Sequence, residues 1–464
     1  MRDPGHVVIL GAGPTGLGVA TRLHELGLPF TLLEAREGPG GLAASDVDAK
    51  GFTWDVGGHV QFSHYAYYDD LLDRALGDAW LWHERESWIW MRGRFIPYPF
   101  QNNLHRLDPE DRDRALQGLE RAAASRPARR AETFRQWILD TFGEELAEIF
   151  LLPYNEKVWG HDLDRIGTSW MGDRVAVPDV ARIRENVSRD RDDISWGPNR
   201  RFRFPLRGGT GEIWRRVAAL LPEDRLRYRT PVARIDLSGR RVMTASGEEI
   251  GYDALCSSLP LDVLCGMCRG LDDGARRAAG ELVRSACHIL GVGLRGERPA
   301  ALATKCWMYF PEPHSPYYRV TVFSNYSPHN VPDGDHWSLM AEVCETATRP
   351  VDAGSLLDET IAAMRRDGLV DGASEVVSRW HRREEHGYPT PFVGRDRVLS
   401  RIRPALETHG VYARGRFGAW LYEVSNQDHS FMQGVELVDR LTGAGDEPTI
   451  RRPDAVNAGL FARR

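Results

Sequence analysis

The run HVVILGAGPTGLGVATRLHEL, residues 6–26, decides the fold that the sequence predicts. Its first five residues, ending before a glycine, form a short apolar run typical of a buried parallel strand. From Pro14 to Leu26, apolar residues recur at helical spacing, and a second apolar run, Phe30 to Glu34, follows. The order strand, helix, strand predicts the start of a doubly wound sheet.

Three glycines at the strand-to-helix turn indicate a dinucleotide site. Gly11, Gly13 and Gly16 provide a tight turn, close approach of backbone to a pyrophosphate, and close helix–strand packing. The helix that follows offers free N–H groups and its positive dipole end to phosphates. Glu34 ends the second predicted strand, where an acid can accept hydrogen bonds from ribose hydroxyls.

A second glycine run favours FAD over NAD as the bound dinucleotide. It follows Glu34 directly and includes Gly41 and Leu42. The arrangement resembles the E-A-x-x-x-x-G-G pattern of the glutathione-reductase-like FAD superfamily, which includes amine oxidases.

The order of helical and strand-like segments predicts an α/β fold with interruptions. We expect a Rossmann-like FAD-binding domain with an inserted helical domain and an antiparallel β-sheet domain. The predicted boundaries are 1–95, about 205–250 and 410–464 for the discontinuous FAD-binding domain, 105–200 for the helical substrate domain, and 96–104 with about 251–409 for the sheet domain. Asp108 before Pro109 is the expected N-cap of the first inserted helix.

Composition excludes several other classes of protein. The net charge of −6 over 464 residues does not favour a nucleic-acid partner. Six scattered cysteines do not form a disulfide framework, and the isolated Cys265-x-x-Cys268 is interpreted as core rather than as a metal site. The sequence has no apolar run long enough for membrane insertion and no signal-peptide pattern, so we expect a cytoplasmic protein. We expect no metal ion.

Beyond the dinucleotide pattern, WDVGGHV (residues 54–60) resembles the UDP-galactopyranose mutase family, especially its eukaryotic-type branch. The resemblance recurs in order along nearly the whole chain. The blocks that carry it are PYPFQNN (97–103), PYNEKVW (153–159), GDRVAVP (172–178), WGPNRRFRFPLRGGTG (196–211), KCWMYFPE (305–312), YYRVTVFSNYSP (317–328), HGYPTP (386–391) and GRFGAWLYEVSNQDHSFMQG (415–434).

The resemblance implies how the cofactor is held. Gly58 and His59 match the glycine–histidine loop that lies beside the isoalloxazine ring, and the histidine moves with the redox state of the flavin. The last block matches the entrance of a flavin-binding helix. Its implied FAD contacts are Asn426, Gln427 and Ser430, with Arg416 close to the flavin or the sugar.

The resemblance also implies a substrate site for UDP-galactose and UDP-galactofuranose. Arg174 and Arg319 match the pair of arginines that clamps the diphosphate, and with His59 they are the implied catalytic residues. The implied uridine pocket is Tyr98, Phe100, Gln101, Asn155 and Trp159. The implied hydroxyl donors to the diphosphate are Tyr309, Tyr326, Tyr388 and Tyr422. Arg85, Asn199 and Trp307 match positions near the galactose or the flavin, and residues 171–179 and 195–201 match mobile flaps.

The activity implied is an isomerisation of the sugar ring by covalent catalysis. In the family, N5 of reduced FAD attacks the anomeric carbon, UDP leaves, the ring opens and closes on the 4-hydroxyl, and UDP returns. The chemistry belongs to the cofactor, and the protein supplies orientation and electrostatics. NADPH is the reductant typical of the branch, although no nicotinamide contact can be assigned in this sequence.

Three alternatives remain open at this point. A mutase for a GDP- or TDP-linked hexose would share most of the site. A flavin amine-oxidase-like oxidoreductase would share only the FAD frame, and a non-catalytic relic would bind the ligand without turnover. Only a short segment also joins Val331 to Trp337, where the eukaryotic-type branch carries a longer insertion. Such insertions often serve subunit contacts, so a homo-oligomer is left open.

Overall fold

A computed structural model describes residues 2–125, 129–171, 177–194 and 200–459. The strands are β1 (Val7–Leu10), β2 (Phe30–Leu33), β3 (Ser45–Val47), β4 (Thr53–Asp55), β5 (Trp80–Glu84), β6 (Ser87–Met91), β7 (Arg94–Pro97), β8 (Arg201–Pro205), β9 (Leu226–Arg227), β10 (Val232–Asp236), β11 (Arg241–Thr244), β12 (Glu249–Gly251), β13 (Ala254–Ser257), β14 (Cys268–Arg269), β15 (Arg284–Gly296), β16 (Trp307–Tyr309), β17 (Arg319–Val322), β18 (His336–Glu345), β19 (Ser374–Pro389) and β20 (Val411–Ala413).

Helices lie between and around these strands. They are α1 (Pro14–Glu25), α2 (Ala66–Leu76), α3 (Pro109–Ala124), α4 (Phe134–Phe142), α5 (Glu144–Leu146), α6 (Leu152–Trp159), α7 (Val180–Ser188), α8 (Gly211–Ala218), α9 (Leu261–Met267), α10 (Asp273–Ala279), α11 (Leu356–Arg366), α12 (Arg395–Glu407), α13 (Gln427–Thr442), α14 (Pro448–Arg451) and α15 (Pro453–Asn457).

The predicted parallel sheet is present, with β1 at its centre. Its strand order is β20-β13-β1-β2-β9, and β1 pairs in parallel with both β2 and β13. Val7 and Ile9 join the hydrophobic core on one face of this sheet, whereas Val8 and Leu10 join the core on the other. Because both faces are covered, the strand is apolar at every position, which is why its sequence lacks alternation.

The second large sheet of the fold has seven strands. Its order is β19-β15-β18-β17-β16-β6-β7, with antiparallel pairing except between β16 and β6. The expected fold class, a Rossmann-like half combined with helices and an antiparallel sheet, is confirmed.

The division into domains stays a prediction. At strands β13 and β6, membership of the sheets does not follow the predicted domain boundaries. Strand β13 belongs to the parallel sheet, although the boundary near 251 assigned it to the antiparallel domain. Strand β6 belongs to the antiparallel sheet, although it precedes residue 95. A run of four or five apolar residues does not encode which sheet it joins.

The inserted segment is helical, as expected, and α3 begins at Pro109. Asp108 occupies the N-cap position, but its side chain accepts no hydrogen bond from the N–H groups of the first turn. The carboxylate instead accepts a hydrogen bond of 2.9 Å from Arg94 Nη2. The position of the cap was therefore predicted, whereas the bond usually made by such a residue was not.

The six cysteines are buried and unpaired, as their scatter predicted. Burial raises the pKa of Cys265 and of Cys268 to about 12, so both stay protonated at neutral pH. Across the described residues, the helices are too short or too polar for any of them to traverse a bilayer.

Candidate active site

The glycine turn after β1 combines a left-handed backbone at Gly11 with open space beside Gly13. Gly11 has a φ of +98°, a conformation that L side chains rarely adopt, and Gly16 packs against its carbonyl group. The space beside Gly13 is open, since a Cβ placed there would meet nothing nearer than 3.9 Å. Gly13 is also the N-cap of α1 and offers no side chain to the free N–H groups. These groups are therefore open to an anion.

Glu34 and the second glycine run complete this side of the site. The buried Glu34 carboxylate accepts hydrogen bonds from the N–H of Ala12, at 2.7 Å, and of Arg36, at 2.8 Å. Gly41 lies opposite the turn, and a Cβ on it would be 3.4 Å from the Cα of Gly13. Leu42 is partly buried between two hydrophobic cores. The predicted glycines and acid thus surround one turn.

A second helix begins beside this turn. Helix α13 has Asn426 at its N-cap without a side-chain capping bond. Gln427 accepts a 2.8 Å bond from the indole N–H of Trp214, and Ser430 donates one of 3.4 Å to the Ser425 carbonyl group. The three predicted flavin contacts therefore lie on the first turn of one helix.

Helices α1 and α13 pack backbone against backbone within their N-terminal halves. A Cβ at Gly18 would lie 2.2 Å from the Phe431 carbonyl oxygen, and one at Gly434 would lie 2.3 Å from that of Thr15. Only glycine permits such contact between two helix backbones. Because Gly18 and Phe431 are each the fifth residue of their helix, the N-terminal parts of the two helices lie close together.

His59 follows two glycines in the loop after β4. The N–H of Gly58 donates a 2.9 Å bond to Oε1 of Glu342. Nδ1 of His59 and Oγ1 of Thr321 are both enclosed and have no hydrogen-bond partner among the described residues. Buried polar atoms are rarely left in this state, so these two indicate that a polar ligand belongs here.

Burial lowers the pKa of His59 to about 4, with Glu342 opposing the shift and Arg319 and Arg416 adding to it. The imidazole is therefore neutral near pH 7. A neutral imidazole can present either a donor or an acceptor to a ligand.

Arg319 lies at the centre of the site in a bidentate ion pair. Its Nε and Nη2 each donate a 2.8 Å bond to Glu342. Burial alone would raise the pKa of Glu342, but the guanidinium, the Tyr318 hydroxyl and the Gly58 N–H hold it below its ordinary value. No hydrogen bond joins Nη1 of Arg319 to any described residue. One edge of the guanidinium is therefore available to an anion.

Predicted substrate residues form one aromatic wall of the site. The Trp307 indole N–H donates a 2.7 Å bond to the Tyr309 hydroxyl, and the Tyr309 and Tyr98 rings are 5.4 Å apart. The Arg85 guanidinium lies 5.0 Å from the Trp307 ring centre and 5.7 Å from that of Tyr98. Burial raises the pKa of Tyr98 to about 12, so this phenol remains a hydrogen-bond donor.

A second wall joins the cofactor and substrate predictions. The ring of Tyr422 is 5.0 Å from Trp159 and 6.1 Å from Tyr388. The Arg416 guanidinium lies 5.0 Å from the Tyr388 ring centre and donates a 2.9 Å bond to the Ser425 hydroxyl. The hydroxyl groups of Tyr388 and Tyr318 are 3.3 Å apart and share a hydrogen bond. This wall therefore connects Ser425, just before α13, with Tyr318, which lies beside Glu342.

The structure encloses several of the predicted substrate residues in protein. Phe100 is 1% exposed and stacks on Phe150 at 4.4 Å, and Tyr326 is 1% exposed among Phe202 and Phe204. The Asn155 amide donates its 2.7 Å bond to a carbonyl group of the same helical segment. Gln101 is partly exposed. Direct ligand contacts for this group stay predictions. Arg174 and Asn199, and parts of both predicted flaps, lie outside the described residues.

Sequence reasoning missed Glu342 and Tyr318, the partners that fix Arg319. Tyr154 was also missed, although its ring lies 5.3 Å from Tyr309. Glu342 did have a signal: it is an acid within the apolar run HWSLMAEV, and a buried acid requires a cationic or donor partner.

Sequence comparisons place the chain among flavoproteins. A family model described as flavin-containing amine oxidoreductase matches residues 14–417. The pig (Sus scrofa) flavin-containing amine oxidase B is 24% identical over 268 residues, which cover 55% of this chain and 50% of that protein. Human lysine-specific histone demethylase 2 is 43% identical over 54 residues, 12% of this chain and 7% of that protein. The chain thus spans at most half the length of these curated relatives.

A solved structure matches almost from end to end. A reduced UDP-galactopyranose mutase is 46% identical, with a TM-score of 0.95, and the match covers 98% of this chain and 97% of that chain. A CLA-producing fatty acid isomerase from P. acnes, 15% identical with a TM-score of 0.63 over 95% of this chain and 99% of that chain, shares the fold alone. The resemblance inferred from the sequence blocks is confirmed, and the chain belongs to the UDP-galactopyranose mutase family, within the flavin-containing amine oxidoreductases.

Proposed function

We propose that the protein binds FAD and, with the cofactor reduced, interconverts UDP-galactopyranose and UDP-galactofuranose. The near-full-length match to a mutase at 46% identity carries this proposal. The open face of Gly13, the uncapped first turns of α1 and α13, and the unpartnered polar atoms of His59 and Thr321 all fit a flavin dinucleotide.

Reduced FAD would supply an electron-rich nitrogen as the nucleophile toward the anomeric carbon of the sugar. The protein's own task is to hold UDP while the bond to the sugar breaks and forms again. Negative charge grows on the diphosphate as that bond breaks, and the free edge of Arg319 is suited to receive it. We assign Arg174 to the opposite side of the same clamp on the strength of the resemblance.

The phenols around Arg319 are suited to donate hydrogen bonds to the diphosphate without adding charge. Burial raises the pKa of Tyr388 above its ordinary value, with Arg319 opposing the shift, so its hydroxyl keeps its proton. Tyr98 is likewise protonated, with a pKa raised to about 12. The neutral His59 adds a polar group that carries no charge to compete with the arginines.

The test is anaerobic incubation of dithionite-reduced holoenzyme with UDP-galactofuranose, followed by chromatography of the nucleotide sugars. Appearance of UDP-galactopyranose is the expected result. Turnover of GDP- or TDP-linked hexoses with no turnover of the UDP sugar would identify a different mutase. Amine-dependent release of peroxide without mutase turnover would instead identify an amine oxidase, and FAD binding with no turnover at all would identify a relic.

NADPH is the proposed physiological reductant. Anaerobic mixing of NADPH with the oxidised holoenzyme should bleach the flavin absorbance and start mutase turnover. NADPH that leaves the flavin oxidised would reject this assignment, while dithionite-supported turnover would leave the mutase proposal in place.

A further inference from the structure

Glu342 joins the two groups to which the resemblance assigns catalysis. Its Oε1 accepts hydrogen bonds from Nε of Arg319 at 2.8 Å and from the N–H of Gly58 at 2.9 Å. Its Oε2 accepts from Nη2 of Arg319 and from the Tyr318 hydroxyl, each at 2.8 Å. The residue is 2% exposed, so water does not substitute for these donors. One carboxylate oxygen is thus shared between the anion site and the loop of His59.

The loop lies directly on this ion pair, with little room between them. A Cβ on Gly58 would stand 3.0 Å from Oγ1 of Thr321, 3.2 Å from Oε1 of Glu342 and 3.4 Å from Cζ of Arg319. Glycine at position 58 therefore lets the loop backbone approach the ion pair closely. The direct contact between them is the 2.9 Å hydrogen bond from the Gly58 N–H to Oε1 of Glu342, and a displacement of this carboxylate would reach the loop through that bond.

The far end of the same loop is held by a second buried carboxylate. Oδ2 of Asp428 accepts from the backbone N–H of His64 at 3.1 Å and contacts its Nδ1 at 2.8 Å. Asp428 is 1% exposed and lies on the first turn of α13. The segment 58–64 is therefore fixed at both ends, and His59 lies next to the end that Glu342 holds.

We propose that Glu342 is a positioning residue that couples occupation of the anion site at Arg319 to the position of the loop that carries His59. This inference rests on the proposed function, which makes the diphosphate of UDP the anion. An anion at Nη1 draws the guanidinium toward it and weakens its hold on Oε1 of Glu342. The same oxygen holds the Gly58 N–H, so the loop responds.

The experiment compares wild-type holoenzyme with Glu342→Gln and with Glu345→Gln. Glu345 is on the same strand but accepts from His288 and Arg383, away from Arg319, so its variant is a matched control. Each protein is titrated with UDP by calorimetry, which reports binding, and by flavin absorbance, which reports the surroundings of the ring beside His59. Mutase kcat and KM are measured in parallel.

We expect UDP to perturb the flavin spectrum of the wild type and of the Glu345 variant. In Glu342→Gln, UDP still binds with measurable heat because Arg319 keeps its charge, but the spectral change is lost. Without the shared carboxylate, the occupied anion site no longer sets the position of the His59 loop, so kcat falls about 10²-fold with little change in KM. Glu342→Asp, which keeps the charge but is one methylene shorter, should recover part of the spectral response.

Two results would overturn the inference: a wild-type flavin spectrum that ignores saturating UDP, or a Glu342→Gln variant that keeps both kcat and the spectral change. If Glu342→Gln does not fold, Glu342→Asp provides the test. A full wild-type spectral response to UDP in that variant would contradict the inference, which requires one carboxylate to accept all four hydrogen bonds. A wild type without mutase turnover removes the proposed function instead, and the two failures are thereby distinguished.

Discussion

A Cβ on Gly16 would lie 1.8 Å from the carbonyl oxygen of Gly11, so helix α1 begins in direct contact with the turn that precedes it. This contact requires glycine at position 16 for the fold itself. Gly13, two residues beyond Gly11, has its nearest neighbours at 3.9 Å and an ordinary N-cap backbone with a φ of −75°. Glycine at position 13 is therefore not explained by protein packing.

Alanine substitutions separate these two roles. Gly16→Ala should destabilise the protein by about 1–3 kcal/mol or more through overpacking. Gly13→Ala should fold with an unchanged thermal midpoint as apoprotein but should bind FAD roughly 10- to 100-fold more weakly, because its methyl group occupies the approach to the pyrophosphate. Thermal unfolding of apoprotein and FAD titration provide the two measurements.

Gly38→Ala is the matched control, since a Cβ at Gly38 meets no atom within 4 Å. Its FAD affinity should equal that of the wild type. If Gly13→Ala binds FAD as tightly as Gly38→Ala does, the pyrophosphate does not approach at Gly13.

The Arg319–Glu342 pair predicts separate effects on turnover and stability. Arg319→Ala should lower mutase kcat about 10²–10³-fold while FAD remains bound, because a donor to the leaving diphosphate is lost. It should also lower the free energy of unfolding by about 3–5 kcal/mol, since the buried Glu342 carboxylate loses its counter-ion. Activity assays, flavin content and denaturant unfolding measure these effects.

The double variant Arg319→Ala/Glu342→Gln is the informative control. Removing both charges should restore much of the stability but none of the turnover. Unchanged kcat/KM in Arg319→Ala would reject Arg319 as the clamp, and an unchanged unfolding free energy would show that Glu342 does not depend on it.

The cofactor's redox state should decide activity. Oxidised holoenzyme in air should show no mutase turnover, and dithionite should restore it, because the proposed nucleophile is electron-rich only when the flavin is reduced. The measurement is chromatographic turnover under both conditions with the same enzyme sample. Equal rates with and without reductant would remove the flavin nucleophile from the mechanism.

The dinucleotide turn could be predicted from sequence because its elements are contiguous. Gly11, Gly13 and Gly16 are spaced along one strand, turn and helix, and Glu34 follows at the end of the next strand. The structure gathers all four where the pattern predicted. Local spacing is enough here, since the turn geometry depends on neighbouring residues.

The partner of Arg319 could not be predicted in this way. Arg319 and Glu342 are directly opposite each other on β17 and β18, although 23 residues separate them. That pairing depends on the register of an antiparallel sheet. A shift of the register by one residue would place one of the two side chains on the other face of the sheet. The assignment of β13 to the parallel sheet is likewise a matter of long-range pairing. In both places, the residues were visible in the sequence but their neighbours were not.

The lowered pKa of His59 predicts a specific loss of stability in acid. Its pKa is about 4 in the folded protein, whereas an exposed histidine titrates near its ordinary value of 6.5. Between these values the unfolded chain binds a proton that the folded protein excludes, so unfolding becomes more favourable as the pH falls. The contribution of the neutral imidazole is thus complete above about pH 6.5 and is lost progressively toward pH 4.

Comparison with His59→Asn isolates this contribution, because the other titrating groups are common to both proteins. The thermal midpoint of the wild type, relative to that of the variant, should fall as the pH is lowered from 7 to about 4 and then level off. Titration of the His59 ring by NMR should give a midpoint near pH 4, well below that of an exposed histidine. A midpoint difference that is constant across this range would mean that His59 is as open to protons in the folded protein as in the unfolded chain, and the burial that lowers its pKa, with Arg319 and Arg416 adding to the shift, would then be wrong.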